Sequence, residues 1–288
     1  TIARNLTGQA NLKGLDGLLA ITSSNQSLSV IVEVGQASGN STVINANHND
    51  SLGNALVVLN DSGTLNFDGA TGNVSNALSG NGQLQLTQSN LVLTKDSTNF
   101  KGNIAIDNAS QLSATSLSQI GHSTLENNGR LDLNISSNNY DEVLSHTISG
   151  TGSLIKRGAG VLVIDQNSLL TYEGNTDIQS GTLSLDGASI LSKANLTIAK
   201  NAMLEGYGNI SSQVENNGTL YIHNKNDIQQ AREIGATVLN VDNNFINNGH
   251  IILQDQVQER GNVLNITGNY FGGDNALITL STKLGIDK

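Results

Sequence analysis

Apolar residues along this chain recur in short triplets with one polar or small residue between them. Leu84-Gln85-Leu86, Leu91-Val92-Leu93, Ile104-Ala105-Ile106, Leu131-Asp132-Leu133, Leu162-Val163-Ile164, Leu183-Ser184-Leu185 and Leu220-Tyr221-Ile222 all follow this pattern or depart from it by one residue. A period of two is the mark of a strand with one buried face. The triplets are bounded by Gly, Asn, Ser and Asp, which punctuate strands with turns. A helical period of 3.6 is nearly absent. One helix candidate, residues 227–234 (Asp-Ile-Gln-Gln-Ala-Arg-Glu-Ile), reads as a short excursion from a turn.

The pattern also repeats at long range. Leu6-Thr7-Gly8-Gln9-Ala10-Asn11-Leu12 returns as Leu78-Ser79-Gly80-Asn81-Gly82-Gln83-Leu84 and again as Ile148-Ser149-Gly150-Thr151-Gly152-Ser153-Leu154, at spacings of 72 and 70 residues. A looser copy, Leu204-Glu205-Gly206-Tyr207-Gly208-Asn209-Ile210, follows after 56. Phe100-Lys101-Gly102 answers Tyr172-Glu173-Gly174 in the same phase, 72 residues on. Independent matches in one register point to a repeat architecture.

Two all-β architectures compete for such a pattern. A sandwich or barrel of antiparallel hairpins calls for longer strands and a bulkier core. A parallel solenoid calls for very short strands, small repeated core residues and turns in which like residues stack rung over rung. Composition decides between them. Hydrophobic residues are 37% and aromatics 3%, with no Trp, so the core is built from Leu, Ile, Val and Ala. There are 31 Gly and 40 Asn, the two residues that best tolerate left-handed turns, and stacked Asn amides can bond along a solenoid axis. Disorder, the other outcome of low apolar content, conflicts with the recurring triplets. The expected fold is a right-handed parallel β-helix. Rungs of roughly 20–25 residues would give about 12 rungs and a rod of roughly 60 Å.

Charge and chemistry narrow the function. The formal net charge is −10, and an acidic, aromatic-poor chain lacks the basic stripe and stacking platforms of a nucleic-acid binder. With no Cys there are no disulfides, thiolate metal sites or Cys nucleophiles, and the five His form no pair at ligand spacing. No apolar run approaches the roughly 18 residues of a membrane helix. Thr1 is not a natural start and no signal peptide is visible, so the chain is expected to be a piece of something longer.

Two stretches resemble a known family. Residues 150–164 (Gly-Thr-Gly-Ser-Leu-Ile-Lys-Arg-Gly-Ala-Gly-Val-Leu-Val-Ile) and 170–185 resemble the autotransporter-associated β-strand repeat. Gly152, Leu154, Lys156, Gly158, Gly160, Leu162, Tyr172, Gly174, Thr176, Ile178, Gly181 and Leu183 fill its pattern positions. The copies beginning at Leu78 and Leu6 lack the Lys-x-Gly-x-Gly centre. Residues 263–285, beginning Val-Leu-Asn-Ile-Thr-Gly-Asn-Tyr-Phe-Gly-Gly-Asp, are similar to the start of the autochaperone segment of such passengers. Leu284-Gly285-Ile286-Asp287 departs slightly from that segment's Leu-Gly-Asp-Asp ending. The resemblance implies an AIDA-like adhesin passenger of a type V secretion system, displayed on the surface of a Gram-negative cell or released from it. It implies β-helix repeats over 1–203, in units near 6–77, 78–147 and 148–203, and C-terminal rungs over 204–288 leading into the autochaperone segment and templating the folding of the rest. Expected partners are host surface molecules, identical passengers on neighbouring cells, and the protein's own outer-membrane β-barrel.

Few residues carry the pattern of a catalytic or binding group. Asn60-Asp61-Ser62-Gly63-Thr64 faintly resembles the nucleophile motif of chymotrypsin-like proteases, but no oriented His and Asp accompany it, and His48 falls in a repeat-phase turn. Asp61-Ser62-Gly63 aligns with Asn127-Asn128-Gly129 and reads as a turn. A sugar-cleaving β-helix needs clustered carboxylates and, commonly, aromatics that stack on sugars. Asp16, Asp141, Glu142 and Asp186 read instead as single turn acids. Gly272-Gly273-Asp274 lacks the tandem recurrence of a Ca²⁺-binding nonapeptide. Lys156-Arg157 reads as a solvated turn, and Asn5 and Asn195 of the Asn-x-Thr triplets are expected from composition alone. No catalytic, cofactor or metal residue is assigned, and a non-enzymatic adhesive rod is the expectation. The alternatives are a non-adhesive stalk carrying an N-terminal effector, toxin or protease domain, and a polysaccharide-degrading β-helix.

Overall fold

The chain forms an all-β parallel solenoid, seen in a computed structural model that describes residues 1–2, 6, 11–223, 237–253 and 261–280. The helix candidate at 227–234, most of the first repeat copy at 6–12 and the terminal 284–287 lie outside the described residues. Two compact units are present. The first comprises Thr1–Ser136, His146–Ile155 and Thr171–Glu173, and the second comprises Ser137–Ser145, Lys156–Leu170 and Gly174–Lys288.

In the first unit the strands Gly17–Ile21, Thr42–Ala46, Gly63–Asp68, Gln83–Thr87, Asn103–Ile106 and Thr124–Asn127 stack in parallel, each on the next. Their register lines up Leu19, Ile44, Leu65, Leu84, Ile104 and Leu125 as one inward column. Two further stacks supply other walls. One runs through Leu12–Gly14, Ile31–Val34, Leu56–Leu59 and Leu78–Gly80, and the other through Thr71–Val74, Asn90–Leu93, Gln111–Ala114 and Arg130–Asn134. Along Gln83–Thr87 and Asn103–Ile106 buried and outward positions alternate, so the apolar-x-apolar triplets place both apolar residues in the core. A buried Leu or Ile of this kind contributes about 1.5–3 kcal/mol.

The second unit repeats the scheme with Leu162, Leu183, Leu204, Leu220 and Ile251 as its inward column. Its other wall carries Ile178, Ile198, Asn216 and Asn247 in register. The step between rungs varies more than the expected 20–25 residues. It is 16 from Leu204 to Leu220 and 31 from Leu220 to Ile251. A solenoid tolerates this because each rung closes through its own turns, and only the paired strands must keep register.

The 70-residue phase has a physical basis. Gly80 and Gly150 both adopt positive φ, 92° and 105°, and a Cβ at either would lie 2.1 or 2.3 Å from a carbonyl oxygen of the preceding rung. Gly206, in the looser copy, does the same with φ 104°. Only glycine fits such a position. Phe100 and Tyr172, which answer each other in sequence, are both fully buried. The next residues, Lys101 and Glu173, donate their N–H to Gly80 and Gly150 respectively.

Candidate functional site

Most residues singled out from sequence sit apart in turns. Gly63 N–H donates to Asn60 O at 2.7 Å, closing a tight turn over Asp61 and Ser62. A Cβ on Gly63 would lie 2.0 Å from Val34 O, so close rung packing explains this glycine. Ser62 Oγ accepts from Gln36 N–H, while His48 is exposed with its own N–H directed to Ser51 Oγ. The turn reading of this segment holds. Asp16 is exposed and accepts from Asn40, and Asp141 is exposed and accepts from Ser137 at 2.6 Å. Glu142 and Asp186 are half-buried, and Asp274 and Asn195 are exposed.

Lys156 corrects the sequence reading: it is not solvated. The residue is 1% exposed, and its Nζ donates to Arg157 O, Gly158 O and Ser180 O at 2.8, 2.9 and 3.1 Å. Burial pushes its pKa down to about 8. The ammonium sits at the turn that carries Gly158 and Gly160, where three backbone carbonyls converge on it. The Lys-x-Gly-x-Gly centre of the repeat is therefore one structural device: glycines make the turn and the lysine satisfies it.

The densest chemistry lies in the second unit, at residues the sequence reading did not assign. Strand register aligns Ser184, Glu205 and Tyr221 in one column. Glu205 is 5% exposed. His223 Nε2 stands 3.3 Å from Glu205 Oε2, and its ring stacks on Tyr221 with centroids 4.3 Å apart. Tyr140, from the 137–145 segment, and Ser184 hydrogen-bond to the same carboxylate. Burial acts to raise the Glu205 pKa, but the contacts from His223, Tyr140 and Ser184 outweigh it and hold the carboxyl below its usual range. Tyr140 is pushed up to about 12, first by burial and then by the Glu205 charge beside it. It also adopts a φ of 58°, unusual for an aromatic residue, so backbone strain is spent in directing its ring here.

The sequence carried one signal for this cluster. The second position of the repeated motif is Thr7, Ser79 and Ser149 in three copies and Glu205 in the fourth. A charged residue replacing a small hydroxyl at a strand position marks a column that has changed its role. Tyr140 and His223 follow no repeat, and only the folded register brings them to Glu205.

The outer face of the first unit carries an open cleft of about 340 Å³ lined by Asn103, Thr124, Leu125, Glu126, Thr147, Ser149 and Gly150. It offers hydroxyl, amide and carboxylate groups and no aromatic platform. Among the described residues no three His, Cys, Asp or Glu side chains come together, and no helix is long and apolar enough to cross a membrane.

No protein-family model matches the chain, and no solved structure matches it. Two proteins of Escherichia coli (strain K12) are similar to it. Uncharacterized lipoprotein YdeK is 30% identical over 204 residues, covering 70% of this chain and 15% of the relative. Uncharacterized protein YuaQ is 30% identical over 168 residues, covering 57% of this chain and 10% of the relative. The chain thus spans a small part of the length of the curated relatives it matches.

Proposed function

We propose that this β-solenoid is part of a surface-displayed passenger of an AIDA-like autotransporter, acting by adhesion, self-association or biofilm formation rather than by catalysis. The observation that carries the reading is the fit of the repeat motif to solenoid needs. Lys156 satisfies three converging carbonyls, and Gly181, with φ 66°, sits where a Cβ would lie 2.3 Å from Gly158 O. The motif that resembles the autotransporter-associated repeat is thus used here as a rung-building unit. Outward columns of Asn, Thr and Ser, with the open cleft on the first unit, offer hydrogen bonds to host surface molecules or to a second passenger. The lipoprotein description of YdeK supports an envelope location. In this reading the C-terminal rungs template the folding of the rest during secretion.

The test is display of the chain, fused to an outer-membrane β-barrel, on a non-aggregating Gram-negative host. Faster settling or increased attachment to host cells is the expected outcome. Settling and attachment equal to those of cells displaying the barrel alone would overturn the adhesive reading. The small share of each relative that the chain covers favours, as second choice, a stalk carrying an effector domain elsewhere in the protein.

A further inference from the structure

We propose that Asn128 is a site of self-catalysed modification, in which the Gly129 nitrogen closes on the Asn128 side chain and the amide becomes aspartate and isoaspartate. This chemistry needs nothing from the adhesive reading. Asn-Gly is the pair in which such a ring closes with least hindrance, because glycine puts no side chain beside the attacking nitrogen. The chain has four of them, at 81–82, 128–129, 217–218 and 248–249. The last three belong to one repeated turn, Asn127-Asn128-Gly129, Asn216-Asn217-Gly218 and Asn247-Asn248-Gly249, whose first Asn is fully buried in each copy. In two copies that buried amide holds the glycine: Asn216 Oδ1 accepts from Gly218 N–H and Asn247 Oδ1 from Gly249 N–H, both at 3.2 Å. Gly82 N–H is held as well, by Leu59 O at 2.9 Å. Asn127 behaves differently. Its amide donates to Ser153 O at 2.9 Å, and its Oδ1 accepts from no group among the described residues. Gly129 N–H has no acceptor among them either. The attacking nitrogen is therefore restrained in three pairs and unrestrained in one.

The electrophile is prepared at the same place. Asn128 Oδ1 accepts from Thr151 N–H at 3.1 Å and from the Thr151 hydroxyl at 3.3 Å. Two donors on a carbonyl oxygen draw charge from its carbon and stabilise the oxyanion that forms when a nucleophile adds. By contrast, Asn217 Oδ1 meets the Asn248 amide at 3.0 Å. Asn128 Nδ2 donates to Glu126 Oε1 at 3.4 Å, so a carboxylate stands beside the nitrogen that departs. In the step itself Gly129 N bonds to Asn128 Cγ and gives up its proton. The Cγ–Nδ2 bond breaks, and the nitrogen leaves as ammonia with that proton. Water then opens the succinimide at either carbonyl, giving aspartate or isoaspartate, and no oxidant or reductant takes part. The product sets a new carboxylate next to Glu126, which lines the open cleft of the first unit.

The experiment is incubation of the folded full chain at mildly alkaline pH, sampled over weeks and read by peptide mass mapping, with isoaspartyl methylation to count the isomer. Residue 128 should convert about fivefold or more faster than residues 81, 217 and 248, the factor that one restraining hydrogen bond represents. In urea the four should convert at similar rates, since each is followed by glycine and the fold no longer distinguishes them. Thr151→Val, at an exposed position, removes the hydroxyl donor and keeps the N–H. It should slow residue 128 about two- to fivefold and leave the other three unchanged. Conversion of residue 128 no faster than that of the other three in the folded chain, or a lead for residue 128 that persists undiminished in urea, would overturn the proposal.

Discussion

Two polar columns in the second unit solve the same problem differently. In one, Asn209 donates to Ser189 Oγ at 3.1 Å, Asn240 to Asn209 Oδ1 at 2.9 Å and Asn265 to Asn240 Oδ1 at 3.1 Å. A second amide series is buried, with Asn216 donating to Asn247 Oδ1 at 2.9 Å and Asn247 to the Tyr270 hydroxyl at 3.0 Å. In the other column Ser184, Glu205 and Tyr221 are all different, and the set is completed by Tyr140 and His223 from outside it. An amide carries both donor and acceptor, so a copy one rung away satisfies it and the ladder extends by repetition. A carboxylate only accepts, so its column must end in unlike partners. Repetition therefore builds the rungs, and departures from repetition build sites.

The largest effect separating the two is expected at a buried ladder amide. Asn247 is fully buried, bonds Asn216 and Tyr270, and accepts from Gly249 N–H at 3.2 Å. Asn247→Ala removes three bonds and leaves the buried Asn216 amide donating only to His250 O, at a cost of about 2 kcal/mol. Urea denaturation should show the midpoint fall with little change in slope. A loss under about 1 kcal/mol would mean that the neighbouring amides re-pair, and that the ladder is less specific than its geometry.

A smaller effect is expected where the unlike column reaches the 137–145 segment. Tyr140→Phe removes a hydroxyl bonded to a carboxylate, but the residue is partly exposed, so water replaces some of the bond. The expected cost is about 1 kcal/mol. Relief of the positive φ would not offset it, since phenylalanine has the same backbone preference as tyrosine. Limited proteolysis offers a second measure, with cleavage near residues 137–145 rising in the variant. Unchanged stability and unchanged cleavage would show that the hydroxyl does not hold the segment.

How far the sequence could be read follows from the same contrast. The triplet Leu84-Gln85-Leu86 and its neighbours announce strands because burial alternates along each one. The repeated Gly80 and Gly150 announce the rung because no other residue fits under the preceding carbonyl. The surplus of Asn announces ladders. A Lys-Arg pair beside glycines has the composition of a solvated turn, yet Lys156 is buried. Its burial depends on three carbonyls from two rungs, which composition does not reveal. Glu205 differs from its repeat copies, but its partners Tyr140 and His223 lie at unrelated positions and meet only through register. The rungs were legible because they are local and repeated. The cluster was not, because it is singular and assembled across distant segments.

The smallest effect tests whether the outward amide series is one structure or a row of separate bonds. Asn240 is half-buried, donates to Asn209 and accepts from Asn265. Asn240→Ala removes both bonds, yet water can reach the orphaned amides, so the expected loss is about 0.5–1 kcal/mol. The single variant does not distinguish the two possibilities, but a double-mutant cycle with Asn209→Ala does. If each amide orients the next, the first substitution already weakens what the second removes, and the double variant loses less than the sum. If the bonds are independent apart from the one they share, the shortfall equals that one bond, again about 0.5–1 kcal/mol. Adding Asn265→Ala separates these outcomes, since Asn209 and Asn265 share no direct bond. Coupling between Asn209 and Asn265 that disappears in the Asn240→Ala background would show that orientation passes along the ladder. Strict additivity between them would reduce the ladder to nearest-neighbour pairs, the behaviour expected of a solenoid whose rungs sense only their neighbours.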